Sequence, residues 1–313
     1  MFDDFANVWT IVGLSRDIRK KPVQVRVAGQ RIVLFRGSDD RLAALLDRCP
    51  HRGVALSLGK VEDGNLVCPF HGWRFTVEGK NCHVPWCPNA KLEQLGATAI
   101  PVREAKGLIW LYTGFSPAGE PMLPETLDAP GVVVSAQSML WNAHWTRVME
   151  NILDTPHLPF IHRKTIGRGL LTLVGQSMVM NWKETPYGAR ITRSIGGQTR
   201  DGALDFRFPN AMELFIDPPG RILRLLTVCV PEGGDRTRLT IYTIRNFARL
   251  RILDPLFRRL NHAIAEEDRA IVESSDPPIV PSPEMERSVA TDLPTLAFRR
   301  IWRSRLLGSS AQP

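Results

Sequence analysis

Cysteine is scarce in this chain: five among 313 residues, an odd number too thinly spread for a disulfide framework. Lysine is scarce as well, since only eight of the 40 basic residues are Lys and none follows Lys183. Basic residues exceed acidic ones by eight, yet no basic run of five to eight residues appears, Arg19-Lys20-Lys21 being the densest cluster. Nucleic acid is therefore not expected as a partner. No stretch approaches the roughly 18 consecutive apolar residues of a membrane span. The opening MFDDFANVWT is acidic where a secretory leader would be basic. Together these absences lead to the expectation of a cytoplasmic protein, in which clustered cysteines bind metal or do chemistry.

What is present divides in two. At roughly 150 residues per domain, the length suggests two domains. From Val23 to about Tyr112 short β-type runs alternate with turn residues: VQVRVAG, QRIVLFRG, LAALLD, NLVCPF, WRFTVEG and GLIWLYTG. The stretch SPAGEPMLPETLDAPG carries four prolines and little apolar periodicity, which reads as a linker. The expected organisation is an all-β domain over 1–115, a Pro-rich linker over 116–140 and a second domain over 141–313. That second domain should hold a helix over 141–155, strands within 172–245, and a long helix over 253–274 with Leu253, Leu260, Ile264 and Ile271 as its apolar stripe. The fold class is α+β, the second domain having one antiparallel sheet with helices against it.

Two of the cysteines sit beside histidines. Cys49-Pro50-His51 and Cys68-Pro69-Phe70-His71 form C-x-H, sixteen residues, then C-x-x-H, each pair following an apolar strand-like run. Two short-spaced pairs on loops at strand ends are a metal signature. The spacing suits either a Cys2His2 zinc site or a [2Fe–2S] centre in which two Cys hold one iron and two His the other. The flanks, CPHRG and CPFHGW, resemble the two cluster-binding loops of Rieske proteins. That resemblance implies a [2Fe–2S] cluster with Cys49 and Cys68 on the inner iron and His51 and His71 on the outer. Respiratory Rieske proteins add one cysteine to each loop, joined as a disulfide. Val54 and Phe70 stand at those positions, so the resemblance is to the oxygenase and ferredoxin branch. Cys82, His83 and Cys87 read as a shaped loop and not as a third site, and Cys229, inside LLTVCV, as a buried small hydrophobe.

A second constellation lies in ENILDTPHLPFIH, where Asp154, His157 and His162 make D-x2-H-x4-H. Asp154 and His157 are three apart and would share a helix face. His162 falls about 140° away from His157 on a regular helix, so Pro156 and Pro159 must break the helix for the two imidazoles to converge. Two His need a carboxylate to complete a facial triad for non-haem Fe(II). Glu267 and Asp268 both flank the stripe of the 253–274 helix, and periodicity does not choose between them.

The order of these parts, with N-x2-D-x2-H-x4-H from Asn151 and the late EEDRAIVESS helix, is similar to that of Rieske non-haem iron oxygenases. It most resembles the short vanillate- and dicamba-demethylase-like and saxitoxin-pathway monooxygenases. The resemblance implies a helix-grip second domain, with His157, His162 and Asp268 as ligands of a mononuclear Fe(II) and Asn151 near the iron. It also implies that Asp154 bridges the two centres across the subunits of a head-to-tail homotrimer. The activity implied is that of a terminal oxygenase, which uses O2 to hydroxylate or demethylate an apolar or aromatic small molecule. GxGxxG and the plant-type ferredoxin cysteine spacing are absent, so electrons are expected from a separate reductase or ferredoxin. The alternative is an electron carrier with an attached binding domain. Iron counting separates the two: three per chain for the oxygenase, two for the carrier. Finally, residues 245–259 and 299–305 each carry a net charge of +4. They suit docking to an acidic partner or an anionic membrane surface, although Phe298, Ile301 and Trp302 also suit a helix packed on its own domain.

Overall fold

Short β-branched and aromatic runs joined by two-residue turns build the first part of the molecule as three small antiparallel sheets. The computed structural model describes residues 1–308, and the chain divides into one unit of Met1–Leu123 and a second beginning at Pro124. The last five residues of the expected second domain lie outside the described residues. In unit 1, β1 (Trp9–Leu14), β9 (Val102–Ala105) and β10 (Leu108–Tyr112) form one sheet, and β2 (Val23–Val27), β3 (Gln30–Arg36) and β4 (Leu42–Leu46) a second. The third holds β5 (Lys60–Glu62), β6 (Asn65–Val67), β7 (Arg74–Phe75) and β8 (Asn81–His83). Ala28-Gly29, Asp63-Gly64 and Lys106-Gly107 make the tight hairpin turns. Val33, Phe35, Leu45, Leu56, Leu66 and Phe75 pack into one buried cluster that includes Cys49 and Cys68.

Two expected strands are shorter than their apolar runs. NLVCPF leaves the sheet after Val67 and WRFTVEG keeps only Arg74–Phe75, because the chain between them is spent on the loop that carries Cys68 and His71. β1 lies ahead of the region expected to hold strands.

Unit 2 is a seven-stranded antiparallel sheet of β11 (Val133–Trp141), β12 (Met178–Thr185), β13 (Gly188–Ile195), β14 (Gln198–Arg207), β15 (Ala211–Phe215), β16 (Leu223–Pro231) and β17 (Thr237–Arg245). β12 to β17 meander in chain order, and β11 pairs along β17 from Val133↔Arg245 to Trp141↔Thr237. The expected linker over 116–140 is thus corrected: from Val133 on it is an edge strand, held by an unbroken ladder with Ser135, Met139 and Trp141 buried. Within the 172–245 stretch expected to hold strands, the first one, β12, starts only at Met178.

Against the sheet lie α1 (Trp145–Leu153), α3 (Asp254–Glu273) and α4 (Leu293–Arg305), while the single turn α2 (Leu158–Ile161) follows α1 and packs on the segment 168–173. α4 packs on α1 edge to face: Phe298 and Trp302 meet the Trp145 ring at 5.9 and 6.3 Å between centroids. Arg299 is buried and bound to Glu150 and Glu286, which also take Arg147 at 3.3 and 2.8 Å. Burying Arg147, Glu150 and Arg299 is tolerable only because each charge is answered, the partly exposed Glu286 supplying the second carboxylate. The basic C-terminal segment therefore reads as a packed helix, with Arg299 spent on an internal ion pair. Arg245, fully buried, is likewise bound to Asp254.

The expected stripe of α3 is also corrected. Leu260 and Ile271 are 53% and 55% exposed, and the buried positions are Asn261, Ala265, Asp268 and Val272. A narrow, partly polar face is inward because it is hydrogen-bonded there, Asn261 Nδ2 donating to Thr243 Oγ1 of β17 at 2.8 Å. No helix among the described residues is long and apolar enough to cross a membrane.

Candidate metal centres

The Cys–His loops of unit 1 are built twice on one plan. In each, the cysteine N–H donates to the carbonyl five residues on, Cys49 to Val54 and Cys68 to Trp73, both at 2.8 Å. A glycine N–H returns to the cysteine carbonyl, Gly53 to Cys49 and Gly72 to Cys68, at 2.8 and 3.1 Å. Both glycines have φ near +70°, a conformation that a side chain would strain, which is why glycine closes each loop. The cysteines are each 2% exposed, whereas the histidines are only partly buried. His51 Nδ1 and His71 Nδ1 converge to 3.2 Å, and the His51 ring stacks on Trp73 with 4.6 Å between centroids.

The donor chemistry fits a cluster of two irons. Burial, opposed by the His51 backbone N–H and reinforced by the Cys68 thiol, pushes the Cys49 thiol up to about 11. A thiol buried in this way becomes a thiolate only when a cation neutralises it. His51 is held below its ordinary value by desolvation and by His71 and Arg52, which favours the neutral imidazole, the ligating form. One supporting residue was not found from sequence. Asp47, buried two residues before Cys49, accepts Ser57 N–H and Oγ–H, both at 2.7 Å, and Gln24 Nε2–H at 2.5 Å, so it ties both ends of the first loop. Its only sequence signal is a carboxylate at the end of an apolar strand. Cys82 and Cys87 are free and exposed, and with His83 they belong to no three-residue metal-ligating group among the described residues.

In unit 2, His157, His162 and Asp268 place one ligand atom each within 4.8 Å of one another. The helix α1 ends at Leu153, and Asp154 is its extended cap rather than a member of a helix face shared with His157. Asp154 Oδ2 accepts the His157 backbone N–H at 3.0 Å and lies 2.8 Å from His157 Nδ1. His157 and His162 flank α2, so one helical turn with Pro159 inside it brings the two rings to 5.3 Å at 63°. Their Nε2 atoms lie 3.6 and 3.1 Å from Asp268 Oδ1. That oxygen is buried and accepts no hydrogen bond of good geometry, an arrangement expensive without a cation. Two imidazoles and a carboxylate gathered this closely are the donor set of a facial triad for Fe(II).

Glu267, left open by periodicity, is turned the other way. Its Oε2 lies 2.7 Å from His162 Nδ1 and accepts Thr165 Oγ1–H at 2.7 Å. Burial disfavours the His162 cation, but Asp268 and Glu267 outweigh it and raise its pKa. Burial also works against the Glu267 carboxylate, yet His162 and Thr165 hold it below the usual range. Thr165 was not singled out from sequence; its signal is a hydroxyl three residues after a ligand histidine. Asn151 sits on the last turn of α1 with its carbonyl accepting the Asp154 N–H, and its side chain makes no hydrogen bond to another described residue. Cys229 is fully buried, and burial raises its thiol pKa.

Comparison with known proteins matches residues 8–98 to the Rieske [2Fe-2S] domain and residues 141–215 and 203–307 to the vanillate O-demethylase oxygenase C-terminal domain. Chlorophyllide a oxygenase of Arabidopsis thaliana is 26% identical over 289 residues, 85% of this chain and 51% of that protein. A 4β-methylsterol monooxygenase of Methylococcus capsulatus is 32% identical over 198 residues, 59% of this chain and 50% of that protein. The chain spans about half the length of the curated relatives it matches. Among solved structures, NdmA of Pseudomonas putida CBB5 with caffeine shares the fold at a TM-score of 0.80 and 22% identity, covering 95% of this chain and 90% of that one. With a [2Fe–2S] domain followed by a mononuclear non-haem iron domain of this type, the chain belongs to the Rieske non-haem iron oxygenases.

Proposed function

We propose that this chain is the terminal oxygenase of a multicomponent Rieske system, hydroxylating or oxidatively demethylating an apolar or aromatic small molecule with O2. The observation that carries this reading is the buried Asp268 Oδ1, without a hydrogen bond between two histidine Nε2 atoms, in a chain that also holds a Rieske domain. Cys49, His51, Cys68 and His71 hold the cluster, and His157, His162 and Asp268 hold the ferrous ion. When bound, these groups supply single electrons and O2 activation. The protein's own part is orientation. Asp154 fixes the His157 tautomer by accepting its Nδ1–H, which leaves Nε2 free to ligate. Asn151, one helical turn before Asp154, borders the reaction space.

The relatives' names, a chlorophyllide a oxygenase and a 4β-methylsterol monooxygenase, support a largely apolar substrate. A separate reductase or ferredoxin provides electrons. The oligomer is a homotrimer in which Asp154 of one copy accepts a hydrogen bond from His71 of the next. Two apolar side chains support such docking: Phe70, next to His71, is 60% exposed, and Trp86, following the Pro85 that lies against Gly72, is 92% exposed. The location is cytoplasmic. The test is anaerobic loading with Fe(II), addition of a reducing partner, and exposure to O2 with a panel of apolar methylated and aromatic compounds. O2 uptake matched by product formation is expected. A cluster that reduces and reoxidises with no product from any compound would point to an electron carrier instead.

A further inference from the structure

We infer that Glu267 is a positioning residue, the tie that brings the two separate parts of the iron site into register. This rests on the metal-site reading above and concerns how the chain assembles the site. The ligands come from two places, the histidines from the turn around α2 and Asp268 from the middle of α3. Of the two carboxylates behind the histidines, only one spans that gap. Asp154 reaches His157 across three residues and holds its own turn. Glu267 reaches His162 across 105 residues and Thr165 across 102, in both cases through Oε2 at 2.7 Å.

Glu267 and Asp268 are consecutive on α3, so one residue binds the back of His162 while the next faces its front. The Glu267 contact makes Nδ1 the protonated nitrogen, and Nε2 then presents its lone pair towards Asp268. Thr165 prevents the carboxylate from swinging away. Its loop is drawn in tightly, with Thr165 and Gly167 N–H both donating to His162 O at 2.9 Å. The loop and α3 are therefore clamped by a side chain that need not touch the metal.

The experiment uses the full chain with its cluster loaded and mononuclear iron removed by brief chelation, and titrates Fe(II) anaerobically against a competing chelator. Glu267→Ala is expected to weaken Fe(II) binding by roughly 10–100-fold while the cluster's absorption stays unchanged. Glu267→Gln should restore most of the affinity, because its amide oxygen accepts the same bond. Thr165→Val should fall between wild type and Glu267→Ala. Wild-type affinity in Glu267→Ala overturns the inference, as does loss of all binding there with binding retained in Asp268→Ala, which would make Glu267 the ligand. If Glu267→Ala does not fold, wild-type affinity in Thr165→Val overturns it. A wild-type chain that binds no Fe(II) beyond its cluster would contradict the proposed function itself.

Discussion

The two proposed metal centres are assembled on opposite plans. Each half of the cluster site is a closed local turn, in which cysteine, histidine, returning glycine and bonded carbonyl all lie within six consecutive residues. The iron site is assembled at long range, two histidines from one turn meeting a carboxylate from a helix more than 100 residues later. A local turn is formed by its own backbone hydrogen bonds, and the sheet behind it only has to bring two finished turns together. A long-range site depends on the helix docking correctly, and α3 docks through a narrow face in which Asn261 and Asp268 are polar. The cluster site should therefore fail only through its ligands and closing residues, whereas the iron site should also fail through groups that touch no metal.

The largest effect expected on this comparison is that of Cys68→Ser. It removes a proposed ligand that is also part of the core of unit 1, so the cluster's visible absorption and reduced spin signal should disappear. Iron should fall from about three to about one per chain, the remainder being mononuclear. Loss of all iron would show that the two centres do not assemble independently.

Next comes a residue behind the iron site. A Cβ on Gly167 would stand 1.9 Å from the Leu158 carbonyl oxygen, so Gly167→Ala must push apart the turn that bears both histidines. Fe(II) affinity should drop by at least roughly tenfold, with the cluster spectrum intact. An unchanged affinity would mean that the turn is free to relax and that the long-range plan is wrong.

Asp154→Asn sharpens the comparison further, because this carboxylate belongs to a local turn. Both metals should stay loaded while turnover falls about 100-fold. Normal turnover would remove the bridge between subunits from the account. The smallest effect is expected from Leu260→Ser, on the half-exposed side of α3, which should change the stability of unit 2 by no more than about 0.5 kcal/mol in chemical denaturation. A loss of several kcal/mol would restore the apolar stripe as the docking face.

The same contrast explains what could be read in the chain alone. The proposed cluster ligands are legible because C-x-H-x-G and C-x-x-H-G each contain a complete structural unit. The histidine pair is legible by its spacing and its prolines, but not the way the chain turns: Asp154 caps α1 where a shared helix face was expected. Glu267 and Asp268 are adjacent and equally acidic, and only the docked orientation of α3 turns one to the front of His162 and the other to its back. Periodicity misleads on that helix because Leu253, Leu260 and Ile271 of the expected stripe remain exposed and Ile264 is only half-buried. β11 was hidden for a different reason, since its edge-strand pattern follows directly on a Pro-rich stretch with the opposite signal. The charge count also concealed structure: Arg245 and Arg299 belong to buried ion pairs and not to a docking face.

One measurement tests the central claim, that a single chain holds two independently built metal centres. It is the determination of iron and acid-labile sulfide per chain on anaerobically loaded protein, before and after brief chelation. The account predicts three irons and two sulfides, with one iron and no sulfide removed by the chelator. Two irons and two sulfides, unchanged by chelation, would contradict it.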